Sequence, residues 1–307
     1  MTAYDVPMVG RFRPMTEDRL ELGEGPRLLA DGTVVLVDIL AGRLLRAPAE
    51  GHRPLEEMAR LDEPLGAVAP LAGGKTGEAG RTGWLAAAGT GFVVLDGSGK
   101  FVRRVGGPEG TGPGIRMNDA VCDQAGRMWA GTMAYDGTPG AGALHLLDTD
   151  GSMRTVLRDL TIPNGPAFSP DGRTMYLADS AVGTVDAFTV DPADATLSDR
   201  RPIIQVDPAE GSPDGMTVDN EGRLWSAIWG AGQIRCYAPD GTLLLAVPVP
   251  AGQPSSICLT GEHIVVTTAA IGLEVPGPLD GAVLEARCDA IAPAARPASA
   301  VFADRVL

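Results

Sequence analysis

Residues 162–180 read IPNGPAFSPDGRTMYLADS, and the centre of that stretch decides the fold. Ser169-Pro170-Asp171-Gly172 is a turn: Pro presets φ, Asp bonds its own backbone, and Gly accepts the conformation that closes the reversal. The hydrophobic run RTMYLADS that follows reads as a strand. The same grammar recurs at Ala30-Asp31-Gly32 before TVVLVDI, at Asp123-Gln124-Ala125-Gly126 before RMWAGT, and at Asp219-Asn220-Glu221-Gly222 before RLWSAIW. Weaker copies stand at Gly80 before RTGWLAAA and at Gly261 before EHIVVTTAA.

The glycines at 32, 80, 126, 172, 222 and 261 are 48, 46, 46, 50 and 39 residues apart, the period of a propeller blade. A second series of turns lies between them, at Asp96-Gly97, Asp150-Gly151, Asp240-Gly241 and Asp280-Gly281, and is expected to form outer hairpins. Each unit then carries about four short antiparallel strands. The prediction is an all-β chain folded as a six-bladed β-propeller, with residues 1–307 forming a single domain. LEEMARL at 55–61 is the nearest approach to helical spacing and is too short to anchor a helical domain. A propeller must close its ring, and VPMVGRFRP near the amino terminus is expected to add a strand to the last blade. IAPAARPASA at 291–300 reads as surface loop.

Composition narrows the functional classes. The chain has 25 basic and 39 acidic residues, a formal charge of −14, which disfavours phosphate backbones and anionic membrane surfaces. Neither nucleic acid nor membrane is an expected partner. The start, Met1 to Pro14, lacks a charged-then-apolar leader, and no run approaches the ~18 apolar residues of a span, so a cytoplasmic location is expected. Cys122, Cys236, Cys258 and Cys288 show no Cys-x-x-Cys spacing and read as buried free thiols. His52, His145 and His263 form no zinc motif. GGKTGEAGRTG lacks the context of a phosphate loop, no Gly-x-Ser-x-Gly elbow is present, and Lys75 and Lys100 sit in outer turns.

A propeller gathers the inner strands of all its blades around a central funnel, so polar residues at equivalent positions converge there. Four segments place polar side chains at a blade entrance, three of them beside Gly or Pro: Glu24 in LGEGP, Arg116 and Asn118 in IRMNDA, Asn164 in IPNGP, and Asp214 in SPDGM. Singly, each reads equally as a turn residue. Together, Glu24, Asn164 and Asp214 offer the carboxylate and amide oxygens that a hard divalent cation takes.

These stretches resemble the family of senescence marker protein 30 (regucalcin), the gluconolactonases and the luciferin-regenerating enzyme. The resemblance runs from about Leu22 to Ala270 and rests on LGEGP with VDILAGRLLR, RMNDAVCDQAGRMWAGTM, IPNGPAFSPDGRTMYLADS, and PDGMTVDNEGRLWSAIWGAGQIRCYAPDG. It implies a six-bladed propeller with one divalent metal ion (Ca²⁺, Mg²⁺, Mn²⁺ or Zn²⁺) held by Glu24, Asn164 and Asp214. It also implies a small-molecule substrate facing Arg116 and Asn118. The implied activity is metal-dependent hydrolysis of a small, sugar-type lactone, with Asp214 the candidate general base. Two other readings stay open: the same site turned to another biosynthetic step, and a metal-binding scaffold without turnover. Asp119 reads as a turn-shaping residue. Tyr135 and Asp136, in the loop after GTM, are expected to overhang the funnel and shape specificity. Trp84, Trp129, Phe168 and Trp225 are expected to pack between blades.

Overall fold

The computed structural model describes residues 7–48, 53–72, 83–109, 112, 114–289 and 300. Among them are six antiparallel sheets; five take their strands in chain order from the centre outwards, and the sixth does so until its outermost strands, which come from residues 8–14. The inner strands are Gly23–Leu28, Leu65–Pro70, Ile115–Cys122, Pro163–Phe168, Ser212–Val218 and Pro254–Leu259. They contact one another from sheet to sheet around the axis, which makes the molecule a six-bladed propeller, as the turn spacing predicts.

Ring closure is shared between the two ends of the described chain. Val283–Asp289 of the last blade pairs with Met8–Val9 and with Arg13–Pro14, Val9 standing opposite Cys288 and Arg13 opposite Glu285. The sheet edge that the last blade would expose is thereby covered.

The predicted turns of the first series at Gly32, Gly126, Gly172, Gly222 and Gly261 each join an inner strand to the second strand of its blade. The turn expected at Gly80, the GGKTG segment with Lys75, and the loop at 291–299 lie outside the described residues. In the second series, Asp96, Asp150 and Asp240 turn the outer hairpins as expected. Asp280-Gly281 departs from the expectation. It sits in the long connection between His263–Thr268 and Val283–Asp289, where the Asp280 carboxylate accepts from the backbone N–H groups of Gly252 and Gly277.

Glu56–Arg60, within the segment nearest to helical spacing, is the outer strand of blade 1. Cross-strand bonds to Arg43–Arg46 hold it, with Glu57 paired to Arg43 at 2.9 Å. One short 3₁₀ turn, Pro208–Glu210, is present among the described residues, and no helix there is long and apolar enough to cross a membrane.

Apolar side chains from facing blades fill the layers between them. Trp129 is fully buried and lies 5.7 Å from the ring of Phe168 in the next blade; Trp84 and Trp225 are also buried. In blades 3 and 5 the first turn carries a further device. The Asp123 carboxylate accepts from Arg127 Nε at 2.6 Å and from the Trp129 indole at 3.0 Å. Asp219 does the same for Arg223 and Trp225, at the same two distances. The Asp-x-x-Gly-Arg-x-Trp pattern thus ties each turn to its inter-blade core. All four cysteines are buried.

Candidate metal centre

Glu24, Asn118, Asn164 and Asp214 all lie on inner strands, and each sits where the strand loses register with its neighbour. The shifts fall between Glu24 and Arg27, Met117 and Ala120, Asn164 and Ala167, and Pro213 and Met216. A bulge re-aims the side chain at that point, here into the funnel. Beside Glu24 and Asn164 a glycine takes the left-handed conformation at the bulge: Gly25 has φ +51° and Gly165 φ +78°.

Two buried aspartates set the strand entries. Asp38 accepts from Leu22 N–H at 3.0 Å, just before Glu24, and Asp179 accepts from Ile162 N–H at 3.0 Å, just before Asn164. Gly66 in the inner strand of blade 2 lets blade 3 come close, because a Cβ there would lie 2.1 Å from the Asn118 carbonyl oxygen.

The five predicted side chains come together. Glu24, Arg116, Asn118, Asn164 and Asp214 are each 5–6% exposed and line one cavity of about 450 Å³ at the funnel mouth. Arg116 Nη1 donates to Asn118 Oδ1 at 2.7 Å, and Asn118 Nδ2 donates to Asn164 Oδ1 at 2.7 Å and to the Pro163 carbonyl at 3.0 Å. Asn164 Nδ2 donates to Ser180 Oγ at 2.9 Å, and Ser180 in turn donates to the Pro213 carbonyl at 2.6 Å. That chain of bonds links blades 3, 4 and 5 and fixes the orientation of both amides. It leaves Asn164 Oδ1 with a second lone pair free for another partner.

The electrostatics of the cluster ask for a cation. Burial, then repulsion from Asp214 and Asp119, raises the Glu24 pKa well above the carboxylate range; burial, then Asp119, does the same for Asp214. Arg116 offsets only part of this, and burial lowers its own pKa. Asp214 Oδ1 is buried with no hydrogen-bond partner. Two repelling carboxylates, one with an orphaned oxygen, and an amide oxygen held toward them fit a hard divalent ion. No group of three or more His, Cys, Asp or Glu side chains suited to a metal is present among the described residues; this set has two carboxylates, its third member being the Asn164 amide.

Asp119 faces elsewhere. It lines a smaller cavity of about 140 Å³ farther along the axis, and its carboxylate accepts from the N–H groups of Ala120 at 2.8 Å and Gly165 at 3.1 Å. It therefore braces blade 3 against blade 4. Burial raises its pKa to about 7. Tyr135, half exposed, lines the funnel mouth as expected, whereas Asp136 is spent on its own turn, accepting from Thr138. The sequence reading missed Ser180 and Trp229, which both line the cavity. Ser180 ends the RTMYLADS strand, one step past the capping Asp179, and that position was the available signal.

Three comparisons bear on this arrangement. The family model for the SMP-30/Gluconolactonase/LRE-like region matches residues 22–270. The chain belongs to that family. Among its SMP-30/gluconolactonase/LRE-like relatives, a putative sugar lactone lactonase of Rhizobium meliloti is 32% identical, over 88% of this chain and 88% of that protein. Regucalcin of Danio rerio is 31% identical over 84% of this chain and 86% of its own length. The chain spans only 58% of a Sulfolobus acidocaldarius relative, 37% identical, and 53% of the pentonolactonase XacC of Haloferax volcanii, 39% identical; each match covers 50% of this chain. Among solved structures, a calcium-binding regucalcin of Agrobacterium tumefaciens superposes with a TM-score of 0.82 at 26% identity, covering 95% of this chain and 97% of that one. The luciferin-regenerating enzyme superposes with a TM-score of 0.81 at 24% identity, covering 97% and 99%, and shows the shared fold.

Proposed function

We propose that this chain is a metal-dependent hydrolase that opens a small lactone in its funnel mouth. The observation that carries the reading is the unpartnered, buried Asp214 carboxylate oxygen, facing Glu24 and set beside Arg116 and the Asn118–Asn164 pair. Relatives whose names include lactonase or pentonolactonase support the reaction class, and a calcium-binding neighbour supports the cation.

Glu24, Asn164 and Asp214 would hold the ion, of Ca²⁺, Mg²⁺, Mn²⁺ or Zn²⁺ type. When bound, it supplies Lewis acidity to a carbonyl oxygen and lowers the pKa of a water. The rest of the chemistry falls to the protein. Among the described residues Arg116 donates through Nη1, to Asn118 and to the Met117 carbonyl, so its remaining N–H groups can hydrogen-bond the lactone oxygens. Asn118 holds Arg116 and Asn164 in fixed relation and lines the same cavity. Asp214 receives the proton of the attacking water, and that proton passes to the ring oxygen as the ring C–O bond breaks.

The same reading takes residues 1–307 as one domain, acting on a small molecule in the cytoplasm. A metal-binding propeller without turnover is the competing reading, favoured by the calcium-binding description of the regucalcin neighbour. Acid release from a panel of γ- and δ-lactones at constant pH, with metal-stripped protein reconstituted separately with each cation, decides between them. Turnover that needs a cation and is lost in Asp214→Ala supports the hydrolase; tight cation binding without turnover of any lactone supports the scaffold.

A further inference from the structure

The cavity is not polar throughout. Its floor holds Glu24, Arg116, Asn118, Asn164 and Asp214, but the wall above is apolar, formed by Leu40, Met133, Ile162, Trp229 and Ile271 with the Tyr135 ring. These side chains come from the connections and strand ends of five blades, so the wall runs around the floor rather than lying on one side. Leu40, Ile162, Trp229 and Ile271 remain only half-buried. Leu40, Trp229 and Ile271 pack from behind against the buried core of blades 1 and 2, which holds them in place.

Polar groups left over for a substrate are few. Both Asn118 amide atoms are engaged, and the Ser180 hydroxyl donates to Pro213 while accepting from Asn164. Spare N–H groups of Arg116, the Ser212 and Tyr135 hydroxyls and the Trp229 indole N–H remain among the described lining, the oxygens of Glu24, Asn164 and Asp214 being left for the cation. An aldonolactone carries a hydroxyl on nearly every ring carbon, and pressing those against Trp229 and Ile271 would strip their water without replacing its hydrogen bonds. An apolar substituent in the same place gains from leaving water and covers side chains that are otherwise half-wet.

We propose that the substrate is a lactone bearing an alkyl or aryl substituent, its ring carbonyl on the polar floor and its substituent against the Trp229–Ile271 wall. This rests on the hydrolase reading above. The reaction balances as hydrolysis: water oxygen bonds to the carbonyl carbon, the ring C–O bond breaks, the ring oxygen takes a proton, and a hydroxy acid with an apolar tail leaves.

The test is kcat/KM for alkyl-substituted γ- and δ-lactones of increasing chain length, against glucono-δ-lactone and pentonolactones, on the cation-reconstituted full chain. The expected result is a preference of about tenfold or more for the alkyl series, rising with chain length. Trp229→Ala should shrink that preference, and so should Ile271→Ser, a loop substitution that spares the strands. Hydroxylated lactones turned over as well as or better than the alkyl series would overturn this inference and leave the hydrolase standing. So would a preference unmoved by both variants. No turnover of either series with any cation would remove the hydrolase reading and this inference with it.

Discussion

Asn118 Nδ2 donates to Asn164 Oδ1 at 2.7 Å, joining two neighbouring blades across 46 positions of sequence. Asn118 also accepts from Arg116, so one amide orients both a proposed metal ligand and the proposed substrate-binding guanidinium. Replacing it by Ala frees Asn164 and Arg116 together. The expected effect of Asn118→Ala is a fall in kcat/KM of about 100-fold or more, with a cation affinity lowered less steeply. Steady-state kinetics and a cation titration on the same variant check this.

Ser180 acts one step farther out, receiving Asn164 Nδ2 and donating to the Pro213 carbonyl beside Asp214. Ser180→Ala removes the bond that turns Asn164 Oδ1 toward the site. Cation affinity should fall by roughly 10–100-fold while the fold persists. A titration of the stripped variant, with its melting temperature measured alongside, reads both.

Burial raises the pKa values of Glu24 and Asp214, and raises that of Asp119 to about 7. A carboxyl whose folded pKa lies above its unfolded value binds protons more tightly when folded, so its stabilisation is complete below the unfolded pKa of about 4 and is lost as pH climbs through the folded pKa. In chelator, these groups make stability decline from about pH 4 upward, through about 7 for Asp119. A saturating cation should flatten that decline, because it stabilises the ionised pair. Melting temperature against pH, with and without cation, is the measurement. Stability that rises between pH 5 and 8 in chelator would contradict the electrostatic account.

Asp219 supports the fold and lies outside the funnel lining. It is fully buried, and its Oδ2 takes both Arg223 Nε and the Trp225 indole. Asp219→Ala leaves those two donors without their acceptor in the core. A loss of about 3 kcal/mol in urea unfolding is expected, with cation affinity little changed in the folded fraction.

The blade count was legible because blades 1, 3, 4 and 5 share an Asp- and Gly-bearing turn between their first two strands, and such turns need no tertiary context to be read. The site was legible for a related reason. At three of the four bulges Gly or Pro flanks the re-aimed residue, so LGEGP, IPNGP and SPDGM mark themselves, whereas Asn118 stands between Met117 and Asp119. Ser180 carries no such mark, since period-two alternation tells which face a residue takes but not which partner waits there. Trp229, Leu40 and Ile271 were harder still: an apolar residue lining a funnel has the same sequence signature as one in the core. The strand at Glu56–Arg60 was obscured because its exposed outer face repeats charge instead of alternating. Asp280-Gly281 looked like a hairpin turn but serves as a clamp, which depends on Gly252 in the preceding connection.

The central claim is that Glu24, Asn164 and Asp214 hold a divalent cation on which lactone opening depends. The most direct measurement titrates metal-stripped protein with Ca²⁺, Mg²⁺, Mn²⁺ or Zn²⁺, following bound cation and lactone hydrolysis in the same samples. The account predicts that a single cation per chain restores activity in step with binding, and that Asp214→Ala abolishes both. Hydrolysis at full rate in stripped protein, or an Asp214→Ala variant that binds and turns over like the parent, would contradict it.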